Sequence, residues 1–101
     1  MPKPTLRYAP EADAEYQEQV EYYERQATGL GRLFSEAIQQ AESLLLSNPE
    51  GLALVRGSGE IRAVVVRRFP FRLLYALRGG EVLIVAVAHT AREPGQFTRR
   101  A

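Results

Sequence analysis

The 101-residue sequence has no cysteine and a single histidine, His89. Disulfides, thiolate metal sites and a cysteine nucleophile are thereby excluded, and a zinc site would need several carboxylates beside His89. No metal or cofactor is expected. Long hydrophobic runs are missing as well. The longest, Val82 to Ala88, falls far short of a membrane span, and no long apolar stretch follows the opening Met1-Pro2-Lys3-Pro4-Thr5-Leu6-Arg7. A cytoplasmic protein without membrane association is expected. Internal repeats and low-complexity segments are absent, and glycine and proline fall singly between periodic blocks, so residues 1–101 read as one domain. The 46% apolar and 25% charged composition is that of an ordinary globular chain, which argues against disorder or a fibrous design.

Lysine is nearly absent: arginine accounts for all but one of the 13 basic residues, and it suits bidentate recognition of carboxylate or phosphate. The net charge of +1 hides an uneven distribution. Residues 1–50 carry four basic and nine acidic residues, a balance of −5, whereas residues 51–101 carry nine arginines against Glu60, Glu81 and Glu93, a balance of +6. Such a split suits an anionic partner for the second half, whether nucleic acid, phosphate or an acidic protein segment. The alternative is an acidic helical layer that neutralises a basic sheet.

Thr5 to Tyr8 reads as a short strand. Pro10, Glu11 and Asp13 then suit a helix start, and Ala12, Tyr16, Val20, Tyr23 and Ala27 form one stripe of a helix over roughly 10–27. After Gly29 and Gly31, a second stripe runs through Leu30, Leu33, Phe34, Ala37, Ile38, Ala41, Leu44 and Leu45 until Asn48-Pro49 stops it. The short connection predicts an antiparallel helical hairpin. Gly51, Gly57 and Gly59 belong to a loop. Ile61 to Phe69 and Phe71 to Leu77 read as strands parted by Pro70. In Arg78-Gly79-Gly80-Glu81 the two glycines suit the positive φ angles of a tight hairpin. Val82 to Ala88, apolar on both faces, reads as a central strand. The expected fold is α+β, ordered β-α-α-β-β-β, with an N-terminal helical hairpin packed on a small, mostly antiparallel sheet.

Three segments in this order carry a resemblance. They are Tyr22-Tyr23 with Gly31-x-x-Phe34, then Phe69-Pro70-Phe71-Arg72-Leu73-Leu74-Tyr75, then Val87-Ala88-His89-Thr90-Ala91-Arg92-Glu93-Pro94 with Phe97 and Arg100. Together they resemble the RelE/ParE superfamily of type II toxin–antitoxin toxins over nearly the whole chain. The resemblance implies one of two activities: RelE-like cutting of mRNA on the ribosome, or ParE-like inhibition of DNA gyrase. It also implies a small cognate antitoxin whose C-terminal segment wraps the toxin. An acidic and apolar segment of that kind is expected in the groove between the helical hairpin and the sheet.

RNA cleavage needs a proton acceptor, a proton donor and cations facing the phosphorane. By resemblance, Arg72 matches the nuclease branch's strand arginine and Arg92 the arginine after the last strand. The branch's two lysines fall at Ala63 and Val65, and its terminal tyrosine falls near Phe97 or Thr98. Phenylalanine can stack on a base but exchanges no proton, and arginine does not titrate at neutral pH. His89 is the conventional proton-transfer group at that end of the sheet, and it reads either as a general acid or base, with Arg72 and Arg92, or as a cap of the final strand. Arg72 and Arg92 either bind a partner or pair with Glu60, Glu81 or Glu93. Tyr16, Tyr22, Tyr23 and Tyr75 read as packing residues, and Arg99-Arg100 as a solvated tail unless a partner orders it. The expected binding set is Arg62, Arg67, Arg72, His89, Arg92, Phe97 and Arg100. The favoured reading is a ParE-like toxin that binds a macromolecular target such as gyrase. A metal-independent endoribonuclease, and a degenerate toxin that only binds antitoxin, are the alternatives.

Overall fold

A computed structural model describes residues 4–57, 59–92, 97 and 100. Their order is β1 (Thr5–Tyr8), α1 (Pro10–Gln26), α2 (Leu30–Ser47), β2 (Arg62–Val66), β3 (Phe71–Arg78) and β4 (Glu81–His89), the α+β arrangement expected. The sheet order is β1-β4-β3-β2. β1 runs parallel to β4, and the other two pairings are antiparallel. β4 is thus central, as its two apolar faces require. No helix among the described residues is long and apolar enough to cross a membrane.

Local chemistry sets the helix ends. Pro10 occupies the start of α1 with Glu11 and Asp13 in the first turn, where negative charge suits the exposed N–H groups. Gly29 opens α2 at a φ of +89°, a left-handed conformation that a side chain would strain. The Glu24 carboxylate accepts N–H bonds from Gly29 (3.0 Å) and Gly31 (3.0 Å), so the end of α1 caps the start of α2. At Gly31 a Cβ would lie 2.7 Å from the Val20 carbonyl oxygen, so the close helix approach demands glycine. The β3–β4 hairpin forms where expected, but only Gly79 takes a positive φ (+59°), and its carbonyl accepts the Glu81 N–H at 2.9 Å. β2 is shorter than expected: it stops at Val66, and the Arg67–Pro70 turn follows with Arg68 at a φ of +71°.

Both helices cover one sheet face. Phe34 is fully buried at its centre, with ring contacts to Tyr23 (5.2 Å), Phe69 (5.1 Å), Phe71 (5.5 Å) and Tyr16 (6.2 Å). Ala12, Ile38, Ala41 and Leu45 pack around it against Val64, Leu73, Tyr75 and Ile84. Leu33 and Leu44 of the expected stripe are exposed. At about 100° per residue they share one flank of α2, outward of Ala37 and beyond the reach of the sheet. A second apolar cluster lies on the opposite sheet face, built from Ile61, Leu74, Ala76, Val85, Ala86, Ala88 and Phe97.

Truncating Phe34 or Ile38 to alanine should cost about 2–5 kcal/mol, much of the stability of a domain this size. Thermal melts read this directly, and unchanged midpoints would contradict the packing of α2 described above. Burial, then the 2.6 Å hydrogen bond that the Tyr8 hydroxyl donates to Glu42, pushes the Tyr8 phenol far above its ordinary 10.0. Burial also raises Tyr23 and Tyr75. The folded state holds these protons more tightly than the unfolded chain, so their contribution is complete below about pH 10 and is lost as pH climbs beyond it. Tyr8→Phe should flatten the alkaline fall of the melting midpoint; an equal slope would contradict the assignment.

Candidate functional site

The candidate site depends on an irregularity in β4. Leu74 pairs with Ala86 but Tyr75 pairs with Ile84, so Val85 is an extra residue, a β-bulge. Val82 and Ile84 before the bulge pack under the helices, and so does Val87 after it, while Val85 and Ala86 both join the opposite face. The bulge thereby turns His89 to the helix side, where its ring meets Phe71 edge-on at 5.2 Å. His89 Nδ1 accepts the Ala91 N–H at 3.0 Å, which ties off the strand end and leaves the proton of the neutral ring on Nε2.

Beyond the bulge, β4 has no strand on its β1 side among the described residues. Pairing of β1 ends at Tyr8, the Ala9 N–H bonds the Ile84 carbonyl at 2.9 Å, and Pro10 turns the chain into α1. Side chains fill the vacated edge. Glu15 Oε1 accepts the Val87 N–H at 3.1 Å, and Arg100 Nη1 donates to the Val85 carbonyl at 3.1 Å and to Glu15 Oε1 at 3.0 Å. The Arg100 guanidinium also lies over the Phe97 ring, 4.9 Å from its centroid. Arg100 is therefore no solvated tail: its side chain is only 24% exposed, because two oxygen acceptors and an aromatic face hold it.

A cleft of ≈ 570 Å³ opens beside this clasp. Glu15, Glu18 and Tyr22 of α1 line it from one side and Phe71, Val87 and His89 of the sheet from the other, with Arg92 and the buried Phe97 completing the lining. Of the expected binding set, His89, Arg92 and Phe97 line the cleft and Arg100 braces its edge. The other three lie elsewhere. Arg62 donates to the Leu52 carbonyl at 2.7 Å and anchors the preceding loop. Arg67 lines a separate groove beside α2. Arg72 alternates with Phe71 and Leu73, which pack under the helices, so it stands on the helix-free face between its register partners Val65 and Ala88. There its buried Nε has no hydrogen-bond partner among the described residues.

The acidic partners expected for Arg72 and Arg92 are engaged otherwise: Glu60 pairs with Arg78 at 3.5 Å and Glu81 with Arg7 at 3.2 Å. Glu93, Pro94, Thr98 and Arg99 lie outside the described residues. The packing reading of the tyrosines holds for Tyr16, Tyr23 and Tyr75, but Tyr22 is 45% exposed at the cleft. Glu15 and Glu18 escaped the sequence reading because nothing sets them apart from the other carboxylates of α1. Chemically, the cleft offers one imidazole, the carboxylates of Glu15 and Glu18, aromatic surface, and the Arg92 guanidinium, which has no ion pair among the described residues. The outer face offers Ala63, Val65, Ala88 and Phe97 around Arg72, while Arg7 and Arg78 on the same face pair with Glu81 and Glu60.

A helical hairpin on a sheet with one parallel and two antiparallel pairings defines a RelE/ParE-type fold. The family model for the ParE toxin of the type II toxin–antitoxin system, parDE, matches residues 6–94, and the chain belongs to that family. No curated protein matches the sequence. Among solved structures, the chromosomal ParDE toxin–antitoxin system from P. aeruginosa is similar in fold, with a TM-score of 0.68 at 17% identity over 86% of this chain and 96% of that one.

Arg100→Ala should lower stability by about 1–2 kcal/mol, because Glu15 and the Val85 carbonyl lose a shared donor at a half-buried site. Amide exchange at Val87 should accelerate more than at Leu73. Equal exchange at both positions would mean that the clasp does not hold the edge.

Proposed function

We propose that this chain is a growth-inhibiting, ParE-like toxin of the cytoplasm that acts by occupying a macromolecular target, and that a small antitoxin neutralises it. DNA gyrase is the target that the family suggests. The observation that carries the reading is the separation of faces. The positions at which the nuclease branch places ionisable groups are Ala63, Val65 and Phe97, none of which exchanges a proton. His89 stands on the opposite side of the sheet from Arg72, so His89, Arg72 and Arg92 do not converge on one phosphate. Binding asks less of the arrangement: an exposed cleft with aromatic walls and a guanidinium at hand is sufficient.

One observation favours the nuclease alternative. His89 and Arg92 line the same cleft, and a ring that accepts at Nδ1 leaves Nε2 available for proton transfer. Purified protein incubated with gyrase and relaxed plasmid should block supercoiling, and prior mixing with the co-expressed antitoxin should restore it. Unimpaired supercoiling at a large excess of toxin would remove gyrase as the target, and failure of the antitoxin to bind would remove the toxin–antitoxin pairing.

A further inference from the structure

Helix α2 carries two stripes along its 18 residues. Gly31, Phe34, Ile38, Ala41 and Leu45 are buried against α1 and the sheet. Beside them, Leu30, Leu33, Ala37, Gln40, Leu44 and Ser47 recur at alternating spacings of three and four over the whole helix, the a/d pattern of a helix–helix seam. The fold leaves two leucines of this second stripe open: Leu33 is 52% exposed and Leu44 54%. The N-terminal half of the seam borders a groove of ≈ 800 Å³, lined by Leu30, Leu33, Ala37 and Phe69, with Arg67 and Arg68 of the β2–β3 turn at its side. The C-terminal half presents Leu44 among the exposed polar residues Gln40, Ser43 and Ser47.

A patch that holds both a hole and a knob is complementary to itself about a two-fold axis, and antiparallel helices set a positions against d positions. An axis midway between Ala37 and Gln40 places Leu33 against Leu44 of a second copy, Ala37 against its Gln40 and Leu30 against its Ser47. Each Leu44 then enters the groove of the other copy. A slip of one heptad would set Gln40 against Leu30 or Leu44 and leave one leucine layer unpaired, so the polar residue fixes the register.

Charge selects the same arrangement. Neither Arg67 nor Arg68 makes an ion pair or side-chain hydrogen bond among the described residues. In a parallel pair these arginines would meet their own counterparts. In the antiparallel pair they flank the last turn of the second copy's α2, which holds no basic residue and carries the negative end of the helix dipole. Glu36, held by Arg32 at 3.1 Å, falls nearest Ser43 of the second copy, so the carboxylates stay apart. A net charge of +1 adds little repulsion between copies.

We infer that the outer flank of α2 is a self-association surface, on which a second copy of this chain packs antiparallel with Leu44 of each copy in the groove of the other. The inference does not depend on the toxin reading. One pair of helices ~27 Å long is a small interface, so the expected dissociation constant is on the order of 10–100 µM.

Sedimentation of the purified protein tests this. Between about 5 and 500 µM the mass should rise from that of the 11.3 kDa chain towards twice that value. Leu44→Glu should weaken association at least about tenfold, by burying an unpaired carboxylate, and leave the melting midpoint unchanged. The Arg67→Ala, Arg68→Gly pair should weaken it by about 3- to 10-fold in a salt-dependent manner. Cysteine cross-linking reads the register, since the natural chain has no cysteine. Leu33 and Leu44 lie ~16 Å apart along one helix, beyond the reach of a disulfide. A mixture of Leu33→Cys and Leu44→Cys proteins treated with diamide should therefore yield the mixed disulfide dimer, and neither variant alone should cross-link. A monomer throughout the concentration range, association that ignores Leu44→Glu, or efficient cross-linking of Leu33→Cys with itself would overturn the inference. So would a dimer lost in Val65→Glu alone, which would move the contact to the β2 edge. A chain that stays monomeric but takes up the co-expressed antitoxin or duplex DNA through Leu44 or Arg67 would assign the flank to that partner instead.

Discussion

One extra residue in the central strand governs how this molecule presents its chemistry. Val85 bulges out of the β3–β4 ladder, and every side chain of β4 beyond it changes face. Three neighbours make the bulge tenable. Pro10 ends the β1 side of the sheet by starting α1, and Glu15 and Arg100 then satisfy the Val87 N–H and Val85 carbonyl that no strand reaches. Buried backbone groups without partners are costly, so the bulge, the proline and the clasp form one unit. That unit decides that His89 faces the helices.

The two sheet faces consequently do different things. On the helix side, His89, Arg92, Tyr22 and Phe71 border a cleft in which polar and aromatic groups are both accessible. On the other side, Arg72 stands among alanine, valine and phenylalanine, and Val65 is 62% exposed. The uneven charge along the chain is resolved only partly inside the fold. Arg100–Glu15 is the ion pair that joins an arginine of the second half to the acidic helices among the described residues, while Arg78 pairs within its own half. An acidic layer neutralising a basic sheet therefore explains little of the asymmetry, and most of the arginines face outward.

Elements whose signal is periodic or chemical were legible in the sequence. The stripes of α1 and α2, the Asn48-Pro49 stop and the Gly79-Gly80 turn fixed the order of the fold, and the two-sided apolarity of β4 fixed its central place. The same two-sided apolarity hid the bulge. In a run of Leu, Ile, Val and Ala, no alternation of polar residues marks which face each side chain takes, so the direction of His89 could not be read. The seven binding candidates were chosen by residue type and resemblance, and they scattered over four places because strand parity and turn geometry decide their positions. Leu33 was read as part of the apolar stripe of α2, yet its angular position leaves it on an exposed flank, and Arg68 went unnoticed because the turn that strains it follows from where β2 stops.

The binding reading proposed above requires that His89 and Arg92, which share a cleft while Arg72 stands on the opposite sheet face, do not together cut RNA. Purified protein added to ribosomes translating a defined mRNA tests this most directly, with cleavage mapped by primer extension. Transcripts as intact as in the untreated reaction are expected. Codon-specific cuts made by the wild-type protein and lost in His89→Gln would contradict it.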